Sequence, residues 1–331
     1  MGTGRGAGDY RSGMIPAWLR NLEQPVICAS MAGVGGGRLA AAVTAAGGLG
    51  TVGFGSTVTP DEVTQQCTLA RPGAFGVGLM LWVLEERPDV LDAALEQRPT
   101  LVSLSFGDPA RLVPRARESG TTVCTQVGTL EEARRALDAG VDLLIARGSE
   151  GGGHGRGEVA TLPLLQQVLE IADVPVVAAG GVGTARGVAA VLAAGAVAAW
   201  VGTPFAACAE SDAPEPVKRA IIATDAAHTV YTRAFDVAQR LGWPTVYGGR
   251  ALANDFSEAW ADRVAELEDA VAKGDEITSA MADARASGDV RTAPVYAGQS
   301  AGLVHGPRTA AGVMAELAGF RRYLADAQQW V

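Results

Sequence analysis

Residues 145–157 read IARGSEGGGHGRG: six glycines, two arginines, one glutamate and one histidine, placed directly after the apolar run VDLLIA. Imidazole titrates near neutral pH, so a neutral histidine can take a proton from a weak carbon acid. Glycine lets backbone lie close to a ligand, but it also lets a turn swing wide with no ligand at all. His154 is therefore either a base beside something the glycines admit, or a ring facing water in a loose loop. His228 and His305 have no comparable setting and read as structural or near-surface residues.

A second set of residues suits an anion. AAGGVGTARG (178–187) and WVGTPF (200–205) each follow an apolar run and lead toward a helix. Gly180, Gly181 and Gly183 leave amides exposed at a helix start, and Gly202-Thr203 adds an amide pair and a hydroxyl, a combination that binds phosphate. Either turn alone decides nothing, because glycine-rich turns exist without ligands; two of them in the expected places favour a phosphate. Arg147 could turn inward toward an anion or pair with Glu150 at the surface, and the residues leave both open. Trp200 and Trp243 read as packing residues.

These groups need a frame, and the chain supplies a periodic one. PVICASMA (25–32), LGTVGFG (49–55), FGVGLML (75–81), TLVSLSF (100–106), TTVCTQV (121–127), VDLLIAR (141–147), VPVVAAG (174–180) and AVAAWVG (196–202) are apolar almost throughout. Such runs suit parallel strands buried on both faces. Helix-like segments separate them: Thr59, Pro60 and Glu62 form a capping signature, Thr129 caps a second helix that Gly140 ends, and Gly120 stops a third. Eight such units predict an α/β fold, a closed (β/α)8 TIM barrel. An open doubly wound sheet is the alternative, but no acid ends the second strand to hold a ribose. In a barrel, His154 follows strand six, and the two glycine turns follow strands seven and eight, where barrels often hold phosphate.

After Ser211 the texture changes. Residues 214–292 are charged and helical in pattern, and are read as a substrate-covering or lid insertion after strand eight. Residues 1–213 and 293–331 are read as the barrel, with a final helix in RTAAGVMAELAGFRRYLA packing back on it.

Bulk properties narrow the function. With 331 residues, 48% hydrophobic and 19% charged, a large core can form. The formal net charge of −9 argues against nucleic acid or an anionic membrane as partner. The uncharged stretch 187–209 is long enough to span a bilayer, but it is mostly alanine and glycine and is broken by Gly195 and Gly202-Thr203-Pro204, so it reads as a buried helix and strand. Cys28, Cys67, Cys124 and Cys208 form no C-x-x-C pair, which suits a reduced, cytoplasmic protein without a structural metal. Cys28 and Cys124 read as small core residues. MGTGRGAGDYRSG lacks the apolar core of a signal peptide and reads as a loose tail.

The ordered set of motifs resembles the nitronate monooxygenase family, also called 2-nitropropane dioxygenases, whose members are FMN-dependent barrel enzymes. PVICASMAG, AAAVTAAGGLGTVGFG, GSEGGGH, VVAAGGVGTARGVAAVLAAGA, VGTPFAACAES, TRAFD and YAGQSAGLV carry the likeness along nearly the whole chain. The resemblance implies that backbone at Ser30, Met31 and Ala32 lines the flavin ring, with Gln126 near it. It implies that Gly151, Gly152 and Gly153 lie against the flavin, and that Gly180, Gly181, Gly183, Gly202 and Thr203 hold its phosphate. His154 would be the catalytic base, and Tyr296, Gly298, Gln299 and Ser300 would face the cofactor or substrate. Cys28, Ser30, Gly78 and Arg147 depart from the family's usual residues, which bears on substrate choice; Gly78 and Arg147 therefore join the substrate-side candidates.

The implied reaction is oxidation of a nitronate or nitroalkane by O2 to a carbonyl compound and nitrite, with a homodimer left open. Two flavin reductases of the same barrel type, enoyl-acyl-carrier-protein reductase II and quinone reductase, are the near alternatives. A non-redox barrel binding a sugar phosphate and a catalytically silent phosphate-binding scaffold are the distant ones.

Overall fold

Each apolar run becomes a strand in a computed structural model that describes residues 14–330. The expected loose tail at 1–13 lies outside the described residues. In chain order the strands are β1 (Val26–Cys28), β2 (Gly50–Gly53), β3 (Phe75–Met80), β4 (Leu101–Ser105), β5 (Thr122–Val127), β6 (Leu143–Arg147), β7 (Gly153–Gly155), β8 (Val176–Ala179), β9 (Ala198–Val201), β10 (Thr229–Thr232) and β11 (Gly248–Leu252). Eight of them form one sheet in the order β1-β9-β8-β6-β5-β4-β3-β2. A parallel bridge between Ile27 and Leu49 brings β1 beside β2 and closes the barrel.

Alternation along each strand divides two apolar layers. Ile27, Leu49, Leu101, Leu143, Ile145, Val177 and Trp200 fill the interior, with Leu19 entering from the N-terminal end. Val26, Val52, Val77, Val102, Leu144 and Val176 face outward against the helices. Burying one such side chain is worth about 1.5–3 kcal/mol, against roughly 0–1 for an exposed ion pair, so these layers rather than the surface charges hold the barrel. Trp18, in the short helix turn Ala17–Arg20, donates its indole N–H to Thr122 Oγ1 at 2.9 Å and closes the bottom.

Local signals act as expected. Thr59 and Glu62 complete a capping box on the helix Pro60–Ala70, and Thr129 accepts from the amide of Glu132. The stretch 187–209 folds as the end of the helix Ala185–Ala193, then β9, then the turn Thr203–Ala206. No helix among the described residues is long and apolar enough to cross a membrane. The final helix is two, Ala310–Leu317 and Phe320–Ala327, broken at Gly319; Met314 and Leu317 join the main core.

Residues 214–292 are mostly helical, but they also contain β10 and β11. The helical pattern concealed them because Thr-Val-Tyr-Thr at 229–232 is only four residues long, although its β-branched and aromatic content suits a strand. β10 and β11 pair antiparallel, and β11 pairs in turn with β7, the histidine strand: Gly248 opposite Gly155, Gly249 opposite His154, Arg250 opposite Gly153. The segment is thus tied by a ladder to the loop that follows β6.

Candidate active site

β6 carries Arg147 to the C-terminal rim of the barrel, and the glycine loop begins there. Arg147 is buried, and its Nη2 donates to the carbonyls of Gly151, Gly152 and Gly153 at 2.8, 3.0 and 2.9 Å. Burial pulls its guanidinium down to about 10. It forms no pair with Glu150, whose Oε2 accepts from the amide and hydroxyl of Thr161 at 2.7 and 2.6 Å. Arg147 is therefore an inward brace that folds the loop. Arg250 adds a bond to the Ser149 carbonyl, and the Tyr231 hydroxyl one to the Gly155 carbonyl.

So fixed, β7 presents the His154 ring to the insertion. Nε2 lies 2.8 Å from Asp236 Oδ1, and the two side chains are 10% and 6% exposed, so water competes little for the bond. The Tyr296 hydroxyl donates to the same oxygen at 3.3 Å. Burial and the neighbouring Asp236 push that phenol well above its ordinary value, which keeps it a donor. Trp243 lies flat on the imidazole, with ring centroids 3.7 Å apart and planes 4° from parallel. A Cβ at Gly249 would come within 2.8 Å of Tyr296 and 3.4 Å of His154 Nε2, so glycine is required opposite the histidine. Trp82, Phe106 and Tyr247 extend the aromatic wall from Trp243. Phe106 holds a φ of 67°, an uncommon conformation for a bulky residue, at the end of β4.

Neither Asp236 nor the role of Trp243 came from the sequence. Trp243 is a stacking partner of His154, not merely a packing residue. The acid stood in the TRAFD motif, but it lies 82 residues from His154, just after β10, and the β10-β11-β7 sheet brings the two together.

At the other end of the rim, backbone dominates. Gly180 and Gly181 have φ of 104° and 69°. Among the described residues no acceptor takes the amides of Gly181, Val182 or Gly183, which precede the helix Ala185–Ala193. Gly202 and Thr203 follow β9 beside them. The Thr203 hydroxyl is partly used, since it accepts from the Gly298 amide at 3.0 Å. The Gln299 amide donates to the Glu150 carbonyl, and a Cβ at Gly183 would meet Ser300 at 2.8 Å. Gly298, Gln299 and Ser300 thus sit at the glycine-turn end, while Tyr296, a few residues earlier, sits at the histidine end.

The remaining candidates line the rim between. Ser30, Met31 and Ala32 follow β1; Met31 backbone packs on Gly53, and Gly202 sits beside its sulfur. A Cβ at Gly78 would fall 2.2 Å from the Ser30 Cβ, so the two departures from the family's residues are complementary: the Ser30 side chain fills the room that Gly78 leaves. Gln126, near the end of β5, borders a small gap with Phe106, Arg147, Gly155 and Tyr247. Three buried polar atoms around this rim, Trp82 Nε1, Arg147 Nη1 and Asp236 Oδ2, have no partner among the described residues. Buried polar groups are nearly always satisfied, so such a set fits a ligand-binding rim.

The nitronate monooxygenase family profile matches residues 77–319. The chain belongs to that family. A nitronate monooxygenase of Paraburkholderia phytofirmans is 31% identical, over 86% of this chain and 89% of the relative. Among solved structures, FabK from Thermotoga maritima superposes with a TM-score of 0.81 at 29% identity, covering 96% of this chain and all of that one. Nitroalkane oxidase from Streptomyces ansochromogenes does so at 0.76 and 32%, covering 93% of this chain and all of that one. The protein is thus an oxidoreductase of the nitronate monooxygenase type, from a family of flavoproteins.

Proposed function

We propose that the protein binds FMN and uses O2 to oxidise nitronates and nitroalkanes to a carbonyl compound and nitrite, with His154 as the base. One observation carries the reading: a nearly buried histidine with one nitrogen held by a carboxylate shares a rim with three amides at a helix start that have no acceptor among the described residues. The amides of Gly181, Val182 and Gly183, with Gly180, Gly202 and Thr203, suit the cofactor's phosphate, because they point partial positive charge where a dianion would lie. Backbone at Ser30, Met31 and Ala32 and at Gly151, Gly152 and Gly153, with Gln126, would flank its ring.

The flavin, once bound, supplies the oxidation and the reaction with O2. The chain's own part is proton transfer, charge and the exclusion of water. A nitroalkane gives its α-proton to the imidazole and leaves a nitronate; a nitronate supplied ready-made needs no base, only an ordered cation or donor beside it. The aromatic wall of Trp82, Phe106, Trp243 and Tyr247 keeps that space apolar, where a fixed charge acts more strongly than in water.

An absorbance spectrum followed by anaerobic mixing tests the proposal. Yellow protein that releases FMN on heating, and a flavin bleached by a nitronate but not by NADH or NADPH, are expected. Colourless protein that FMN cannot reconstitute would contradict it. Bleaching by NADH or NADPH with no response to the nitronate would favour a flavin reductase instead, the reading that the likeness to FabK supports.

A further inference from the structure

We propose that Asp236, delivered by the insertion, is the positioning residue that makes His154 Nδ1, rather than Nε2, the proton-accepting atom. The inference deepens the reading above and rests on it for the identity of the substrate, but not for the state of the ring.

An aspartate carboxylate at neutral pH only accepts hydrogen bonds. With Oδ1 2.8 Å from Nε2, the neutral imidazole must carry its proton on Nε2 and its lone pair on Nδ1. Nδ1 takes no partner among the described residues. The ring cannot easily turn to exchange the two nitrogens, because Trp243 lies flat on one face and Tyr296 is tilted at 5.2 Å. Asp236 is itself fixed: it lies in the first turn of the helix Ala234–Ala238, which favours negative charge, and that turn is held by the Thr232 hydroxyl accepting from the Ala234 amide. The polar and charged groups around the carboxylate are His154 and Tyr296 directly, with Gln239 and Arg285 acting on it through Tyr296.

When a carbon acid reaches Nδ1, its C–H bond breaks, the electron pair passes into the nitro group as nitronate, and an N–H bond forms on the ring. The resulting imidazolium then faces Asp236 at hydrogen-bond distance, and its charge is matched without reorganisation. A carboxylate kept nearly buried, with Oδ2 unpartnered among the described residues, costs folding stability, a cost that the pair with His154 offsets only in part.

The chain has three histidines, so 15N-histidine labelling yields few signals. The shifts of the buried ring in the intact protein at neutral pH should report the Nε2–H tautomer, and Asp236→Asn should abolish that preference. With a neutral nitroalkane, Asp236→Asn should lower kcat about 10²-fold, leave KM within about threefold, and spare oxidation of a preformed nitronate, while Asp236→Glu recovers part of the loss. An Nδ1–H tautomer in the unaltered protein, which needs no folded variant to observe, would overturn the proposal, as would an Asn variant with undiminished kcat. The Nε2–H tautomer in a protein that turns over no nitro compound would overturn the substrate reading and uphold the pair.

Discussion

The two ends of the barrel rim are built from different materials. At one end, Gly180 to Gly183 and Gly202-Thr203 present backbone, with three amides that no group among the described residues uses. At the other, His154, Asp236, Trp243 and Tyr296 present side chains drawn from three separate parts of the chain and locked by distances of 2.8 to 3.7 Å. Backbone donors are indifferent to which side chains surround them, so the glycine end tolerates substitutions around it. Side-chain constellations change with single substitutions, so the histidine end is where this chain can differ in chemistry. The brace between them is Arg147, which folds the loop joining β6 to β7.

If the glycine end is a phosphate cradle, Gly181→Val should strike it hardest. A β-branched residue at a φ of 69° is strained, its Cβ would lie 3.3 Å from the Glu150 side chain, and the amides would be re-aimed. Flavin affinity should fall about 10²- to 10³-fold, from roughly 3–4 kcal/mol of strain and lost donors, as read by fluorescence titration of FMN. An unaltered affinity would remove the phosphate from this turn.

Arg147→Met should break the brace rather than either end. Three carbonyls lose a charged donor, and the unfolding free energy should drop by about 3 kcal/mol in chemical denaturation. A stability equal to that of the unaltered protein would show that the guanidinium is retained for an anion and not for the loop.

Trp243→Ala should act only at the histidine end. Losing the stacked ring costs about 1 kcal/mol, so turnover of a neutral nitroalkane should fall about fivefold with flavin binding unchanged. A parallel loss of flavin would mean the two ends are not separate.

The smallest effect sought is none at all. Burial pushes the thiols of Cys67, Cys124 and Cys208 up to about 12, and that of Cys28 up as well. The thiolate is the reactive form, so a disulfide reagent at pH 8 should label none of them in the folded protein. Rapid labelling of one, with loss of activity, would place a reactive thiol in the site.

The same contrast explains what the sequence could disclose. The eight barrel strands were legible because doubly buried strands are continuous apolar runs, and the glycine turns because their chemistry lies in consecutive residues. The capping box at Thr59 and Glu62 is equally local. Asp236 and Trp243 were not legible as parts of the site, since β10 and β11 are short and the partnership with His154 spans 82 residues. Arg147 was legible as a departure but not as a brace, because its acceptors are loop carbonyls whose direction only the folded loop sets. Ser30 and Gly78 looked like two separate changes until the fold put one side chain in the space of the other.

The central claim is that the glycine end holds the flavin while His154 removes the substrate proton, and His154→Ala assayed with both substrate forms tests it most directly. The variant should bind FMN within about twofold of the unaltered protein and still oxidise a preformed nitronate, while turnover of the matching neutral nitroalkane falls at least about 10²-fold. Equal rates on the neutral substrate before and after the substitution, or loss of FMN from the variant, would contradict the account.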